Sequence, residues 1–434
     1  MSIEGVSDAD LWEMLFAVEN AAPDDAVQVV VRRLAVGVEA TAASFLVADL
    51  SGRALVRMTH IPDLATVAAR RQDGEAVTVL PFDGGPQEQA LRSQRMQVVP
   101  DADGTCVVTA PVTERGETIG VLELAFPADP DEATLDAVGR GAHVLAYVVI
   151  AARRHTDLFE WSQRTVPFNL AAEIQRRLLP SAFTCEAAAF TLSAWLEPAA
   201  TVGGDTFDYS LARDVLHMSV TDAMGHGVDS ALLATLGVGS LRNSRRLGRT
   251  LTEQANAANQ TLKDNAPAGF GFATGLIARL DLPTGRLHLV NAGHIPPLLV
   301  RDGAVEELRL PIDLPFGIRS GQTYRTTELT LRPGDRLVLL TDGMLERRGS
   351  VVDLNGPLLT CADSHPREVV RALTDAVLSA GGPALADDAS LLVLDWYGNH
   401  HDPGSALDGR ASAAEQPAGV RQGVRAVGPA VVGQ

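Results

Sequence analysis

The sequence is poor in cysteine and in positive charge, and it lacks a long apolar run. Three cysteines stand among 434 residues, at 106, 185 and 361, far apart and without metal-type spacing. That excludes a disulfide framework and a cysteine-based zinc site, and predicts buried thiols in a reducing compartment. Lys and Arg total 36 against 54 Asp and Glu, a net charge of −18. Nucleic acids and anionic membranes both require a cationic face, so neither is expected as a partner. The first residues, MSIEGVSDADLWEML, carry no basic segment followed by an apolar one, and the near-apolar run at 142–152 is too short to span a bilayer. The expected location is cytoplasmic. There is no Gly-rich phosphate loop with its Lys, and no convincing Cys or Ser nucleophile motif.

What is present falls into two folded parts. Residues 10–152 read as one α/β domain. It opens with one or two amphipathic helices over 11–34 and contains a hairpin of 44–49 with 54–58. A short helix and an edge strand follow in EQALRSQRMQVVPD, then a second hairpin of 107–113 with 118–126. A helix is predicted over 131–164. Its residues Leu135, Val138, Ala142, Leu145 and Val149 are spaced 3, 4, 3, 4, with Ala152 and Phe159 extending the seam. That spacing suits a coiled coil, so a homodimer through this helix is expected; packing on its own domain is the alternative. A second helix over 168–179 ends at Pro180, which makes 153–180 a helical linker. From 181 to 397 short strands dominate (216–221, 274–280, 286–291, 297–301, 336–341, 390–396), with helices at 229–246, 251–264 and 366–379. This predicts an α+β domain with a mostly antiparallel sheet system. Residues 398–434 are rich in Gly and Ala without periodicity and read as a disordered tail.

Four acidic sites mark the C-terminal part: Asp205 after Gly203-Gly204, Asp222 after the apolar run LHMSVT, Asp342 after RLVLL, and Asp387-Asp388 before SLLVL. An ionised carboxylate at the rim of a buried strand needs water or a partner. One such Asp is ordinary turn chemistry; four in one domain, flanked by glycines, point to a shared site. No Lys or Arg lies within the motifs, although Arg347 and Arg348 follow the third. Converging carboxylates repel and call for a cation. An all-oxygen donor set suits Mg²⁺ or Mn²⁺, and two such ions can activate water and clamp a phosphoryl group.

The motifs GGDTFDY (203–209), DAMGHGVDSALL (222–233), NAGHIPPLLV (291–300), LLTDGMLE (339–346) and DDASLLVL (387–394) occur in the order found in PPM-type serine/threonine phosphatases. The chain resembles their bacterial SpoIIE-like branch over residues 170–397, with AAEIQRRLLP (171–180) matching the opening segment. The resemblance implies an α-β-β-α sandwich and a metal-dependent phosphatase with two Mn²⁺ or Mg²⁺ ions. It implies Asp222 bridging both ions, the Ala223 carbonyl on one, Asp342 and Asp387 on the second, and Asp205 on the first. These four aspartates would be the catalytic set. His226 and His294 read as loop braces, with a metal ligand or general acid as the alternative; Asp388 would support the ligands, and Asp208 and Glu346 read as structural. The branch implies a phosphorylated STAS-type anti-anti-sigma protein as substrate. Residues 10–152 resemble a GAF sensory domain, through the two hairpins and GETIGVLELAF, which implies regulation of the phosphatase. A degenerate phosphatase that only binds its partner is the competing reading. GGDTF also resembles a diguanylate cyclase signature, but Thr206 stands where an acid is needed and the downstream blocks have no place in that fold.

Overall fold

The computed structural model describes residues 8–50, 52–62, 64, 78–100, 104–165, 168–197, 203–266, 269–347, 350–381 and 388–398. Residues 399–434 of the predicted tail, and Asp387, lie outside them.

The N-terminal part begins with helices α1 (Asp8–Glu19) and α2 (Ala26–Gly37) and strands β1 (Ala42–Ala48), β2 (Ala54–Ile61) and β3 (Val79–Pro81). Then come α3 (Pro86–Ser93), β4 (Gln97–Pro100), β5 (Cys106–Glu114), β6 (Glu117–Phe126) and α4 (Glu132–Ala152). The strands form one antiparallel sheet in the order β3-β2-β1-β6-β5-β4. Both predicted hairpins form, and β4 is an edge strand as expected. Arg115 and Gly116 close the second hairpin at φ 44° and 77°, the paired left-handed turn that matches strand twist. Helices α2 and α4 bury Val30, Leu34, Val138, Leu145 and Val149 against one face of the sheet.

The predicted long helix is shorter than its apolar pattern. It starts at Asp131, whose side chain caps the Thr134 amide, and ends at Ala152. The continuation is a separate short helix, α5 (Leu158–Ser162), whose Phe159 turns back into the same core. The 3-4 seam is spent inside the chain: Val138, Ala142, Leu145 and Val149 are all buried in the N-terminal core. The stripe packs on its own domain, the alternative that the spacing left open. By length and composition α4 is also the one helix among the described residues apolar enough to cross a membrane, and half of its apolar window is buried in this core.

Helix α6 (Leu170–Leu178) leads into the C-terminal part, its start capped by the Asn169 side chain. The strands there are β7 (Thr184–Glu186), β8 (Phe190–Glu197), β9 (Asp205–Leu211) and β10 (Val215–Ala223). Helices α7 (Val228–Arg246) and α8 (Leu251–Asn265) follow, then β11 (Ala273–Asp281), β12 (Arg286–Ala292), β13 (Leu298–Arg301), β14 (Ala304–Glu307), β15 (Ile312–Asp313), β16 (Thr327–Thr330) and β17 (Arg336–Leu340). A 3-10 turn (Asp342–Met344), a small hairpin of β18 (Glu346–Arg347) and β19 (Ser350–Val351), α9 (Asn355–Thr360), α10 (Pro366–Gly381) and β20 (Ala389–Trp396) complete the domain.

Two sheets result. One runs β15-β12-β11-β10-β9, with β16 also on β12; the other runs β14-β13-β17-β20-β8-β7. Period-two alternation explains how they stack. In β17, Leu337 and Leu339 enter the core between the sheets, while Val338 and Leu340 face α9 and α10. In β11, Leu276, Ala278 and Leu280 face the other sheet and Ile277 faces α7 and α8. The product is the expected α-β-β-α sandwich. Of the cysteines only Cys106 is fully buried; Cys185 and Cys361 are half-buried, and all three are free.

Candidate metal centre

Strands β9 and β10 run antiparallel, and their register sets Asp205 directly opposite Asp222. Directly opposed side chains share one face of a sheet at about 5 Å between Cβ atoms, where like charges repel. Asp205 is buried. Burial first, then the charges of Asp222 and Asp388, hold its carboxyl well above the usual carboxylate range.

The opposing sheet contributes the other half. Thr341, fully buried at the end of β17, donates its hydroxyl to Asp205 Oδ2 at 2.7 Å. The same hydroxyl accepts the Ser390 amide at 3.0 Å, and the Thr341 amide donates to the Ser390 carbonyl at 3.0 Å. Thr341 thus ties the start of β9 to β17 and β20 across the sandwich. Asp342 follows it, exposed at the head of the 3-10 turn. Asp388, just before β20, is buried; its Oδ2 accepts Gln175 Nε2 at 2.7 Å and the Gly204 amide at 3.2 Å. Gln175 Nε2 also donates to the Asp205 carbonyl at 2.8 Å. Helix α6 is therefore bonded to both sides of the rim.

Asp205, Asp222, Ala223 and Asp342 are brought to one end of the sandwich, with Asp388 beside them. Asp387 lies outside the described residues. Among the described residues no three His, Cys, Asp or Glu side chains yet close around a metal-sized point.

The glycines serve two different ends. Gly225 and Gly227 hold φ at 94° and 76° in the loop that leads into α7, a region open to glycine at little cost. Gly204 is there for closeness instead: a Cβ on it would collide with the Ala223 carbonyl oxygen. Gly343 likewise has no room for a Cβ against the Asp388 carbonyl.

His294 braces its loop. Its amide donates to Asn291 Oδ1 at 2.8 Å, and Asn291 Nδ2 returns a bond to the His294 carbonyl at 2.9 Å. The Leu340 carbonyl, 3.0 Å away, can only accept, so Nε2 carries the proton and Nδ1 accepts from the Thr274 hydroxyl at 2.7 Å. Burial lowers the imidazole to about 4, so it is neutral. His226 is exposed on the α7 loop. Asp208 is structural: it pairs with Arg242 at 2.8 Å and Arg245 at 3.0 Å on α7.

Sequence reasoning missed Thr341 and Gln175. Gln175 left a trace: it is the polar member of the buried stripe Ala171, Ala172, Gln175 of α6.

Residues 212–397 match the family model described as Stage II sporulation protein E (SpoIIE). The phosphoserine phosphatase RsbU of Bacillus subtilis (strain 168) is 25% identical over 232 residues, which cover 52% of this chain and 68% of RsbU. The phosphoserine phosphatase RsbP of the same organism is 22% identical over 201 residues, 44% of this chain and 47% of RsbP. Among solved structures, the RsbU and RsbW domains of Rv1364c from Mycobacterium tuberculosis are 26% identical, with a TM-score of 0.45 over 52% of this chain and 68% of that one.

Proposed function

We propose that this chain, whose C-terminal domain is a SpoIIE-type PPM phosphatase domain, is a metal-dependent protein serine/threonine phosphatase that removes phosphate from a regulatory partner. The observation that carries the reading is the opposition of Asp205 and Asp222 across β9 and β10, tied through Thr341 to the segment bearing Asp342. Carboxylates so arranged repel one another unless a cation sits between them. The donors are all oxygen, which fits Mg²⁺ or Mn²⁺.

In this reading Asp205, Asp222, Asp342 and Asp387, with the Ala223 carbonyl, hold two ions. Bound there, the ions supply the positive charge and the activated water that phosphate ester hydrolysis needs. The chain's own residues set the geometry. Thr341 and Gln175 fix Asp205 and Asp388, Gly204 lets the Ala223 carbonyl come close, and His294 holds the β12 loop against β17. The substrate proposed is a separate phosphorylated STAS-type anti-anti-sigma protein, in a cytoplasmic setting; the relatedness to two phosphoserine phosphatases supports phosphoserine.

We further propose that residues 10–152 act as a GAF-like sensory domain on the phosphatase. Ion pairs support this, joining Arg92 to Glu368 at 3.0 Å and Arg53 to Glu197 at 3.3 Å across the two parts. So does the contact of α6 with the acidic rim.

The test is hydrolysis of a phosphoserine peptide by the full chain with and without Mn²⁺. Asp222→Ala and Asp342→Ala should each lose activity by about 10³-fold or more while remaining folded by circular dichroism. Undiminished turnover in both variants, or turnover indifferent to chelator, would refute the assignment. Binding of a phosphorylated partner without turnover would favour the degenerate reading.

A further inference from the structure

Away from the acidic rim, a cavity of about 500 Å³ lies where three parts of the chain meet: the N-terminal sheet with α3, the linker through Gln163 and Arg176 of α6, and α10. Its wall is partly apolar, from Phe82, Leu91, Trp195 and Val370. That volume falls in the range of small-molecule sites, which pair apolar walls with a few fixed polar groups.

The polar groups here are unusual in their pairing. Arg176 of α6 lines the cavity and stacks on Phe183, 4.7 Å from the ring centroid, and makes no hydrogen bond or ion pair among the described residues. Arg367 of α10 also lines it. Two of its nitrogens donate to the neutral carbonyls of Gly116, at 2.9 Å, and Arg92, at 3.4 Å, while its buried Nε has no partner. Arg153, which caps α4 nearby, has Nε and Nη2 buried without partners.

Glu117 acts on all three guanidiniums through space; Glu160 also acts on Arg153 and Arg176, and Glu186 and Glu368 act on Arg367. Glu117 makes no ion pair with any of the three among the described residues, and it accepts from the backbone amides of Phe183 and Thr184 instead. Asp375 also lines the cavity, and three of the cavity's other carboxylates are committed elsewhere. Glu88 and Glu368 serve Arg92 and Arg371, and Asp49 accepts the amides of Arg53 and Ala54. Burial is the main influence lowering all three arginines, each of which is half-buried. A guanidinium offers five donors and cannot be neutralised, so leaving a buried donor such as Arg367 Nε empty is costly. An oxyanion satisfies them in a fork geometry.

We propose that this cavity binds a small organic anion, whose carboxylate or phosphate is taken by Arg176 and Arg367 and whose apolar part lies on Phe82, Leu91, Trp195 and Val370. Such a ligand would join the N-terminal part, the linker helix and the phosphatase domain in one contact. The site does not depend on the phosphatase reading, and it is tested without metal.

The experiment is thermal unfolding of the full chain in chelator, titrated with benzoate and with inorganic phosphate at constant ionic strength set by chloride. At least one of the two should raise Tm saturably below about 20 mM. Arg176→Gln and Arg367→Gln should each raise the half-saturating concentration by roughly tenfold or more, the worth of a charge-assisted bond. Arg176→Lys, which keeps the charge, should fall between wild type and Arg176→Gln and guards against misfolding of the neutral variant. Arg325→Gln, which breaks a distant ion pair with Asp313, should leave the response intact. The proposal is overturned if neither anion gives a saturable shift, or if the shift survives unchanged in Arg176→Gln and Arg367→Gln.

Discussion

Replacing Thr341 with Val tests whether the acidic rim is held by a bond between the sheets or merely by proximity. Valine matches threonine in shape, so the substitution opens no cavity and removes only the hydroxyl. Two interactions go with it: the 2.7 Å bond donated to the Asp205 carboxyl and the 3.0 Å bond accepted from the Ser390 amide. With Asp205 held well above the carboxylate range in the metal-free protein, the bond to it counts as a neutral one of roughly 0.5–1.5 kcal/mol, and a buried amide left without an acceptor costs about 1–3 kcal/mol. The two share one hydroxyl, so they do not simply add, and a loss of about 2 kcal/mol is expected. Thr341→Ser keeps the hydroxyl and should lose only about 1 kcal/mol for the missing methyl. Urea unfolding of both variants in chelator reads the stability term. Activity against Mn²⁺ concentration reads the second: a residue that orients a ligand typically weakens metal affinity about 10- to 100-fold when lost. The reasoning fails if Thr341→Val unfolds within about 0.5 kcal/mol of Thr341→Ser, or if its Mn²⁺ dependence matches that of wild type.

Gly343→Ala should displace the start of β20, because the new methyl would overlap the Asp388 carbonyl; activity should fall about 100-fold, the cost of a misplacement near 1 Å. Gly239→Ala, on α7 with nothing within 4 Å of its Cβ, is the control and should be neutral or slightly stabilising. His294 gives a pH signature. Its folded value of about 4 lies below the unfolded 6.5, so the unfolded chain binds the extra proton between those values and stability falls as pH drops through that window. The loss attributable to His294 is at most roughly 3 kcal/mol; it should appear as a shallower acid limb in His294→Gln, measured by urea unfolding from pH 7 to 4. An acid limb equally steep in both proteins would contradict a neutral, buried imidazole.

The parts of this fold that could be read from sequence are those where a local pattern has one physical solution. The alternation of β10 and β11 and the two-residue turn at Arg115-Gly116 are of that kind. Strands β8 and β9 were not anticipated. Seven of the eight residues of β8 are buried, which erases the alternation that marks a half-exposed strand. In β9, Gly203-Gly204-Asp205 reads as a turn, whereas the glycine pair lets a strand start close under the Ala223 carbonyl. The seam of α4 failed differently: a 3-4 apolar spacing states that a stripe is buried, not which chain buries it.

The same limit separates the acidic rim from the arginine cavity. Each aspartate of the rim sits beside its own strand or glycine turn, so the local sequence already marks it as out of place for packing. Thr341 and Asp205 are 136 positions apart, and neither residue type announces the bond between them. Arg153, Arg176 and Arg367 come from a helix cap, a linker helix and the start of α10, and each alone looks like a surface arginine with a solvated head. Only the packing of the N-terminal sheet against α6 and α10 half-buries them and leaves nitrogens of Arg153 and Arg367 buried without partners. A charge becomes informative when the fold desolvates it without supplying a partner. That condition belongs to the assembled structure, and it holds more firmly for the three arginines than for the aspartates, since a carboxylate can take up a proton and a guanidinium cannot give one up.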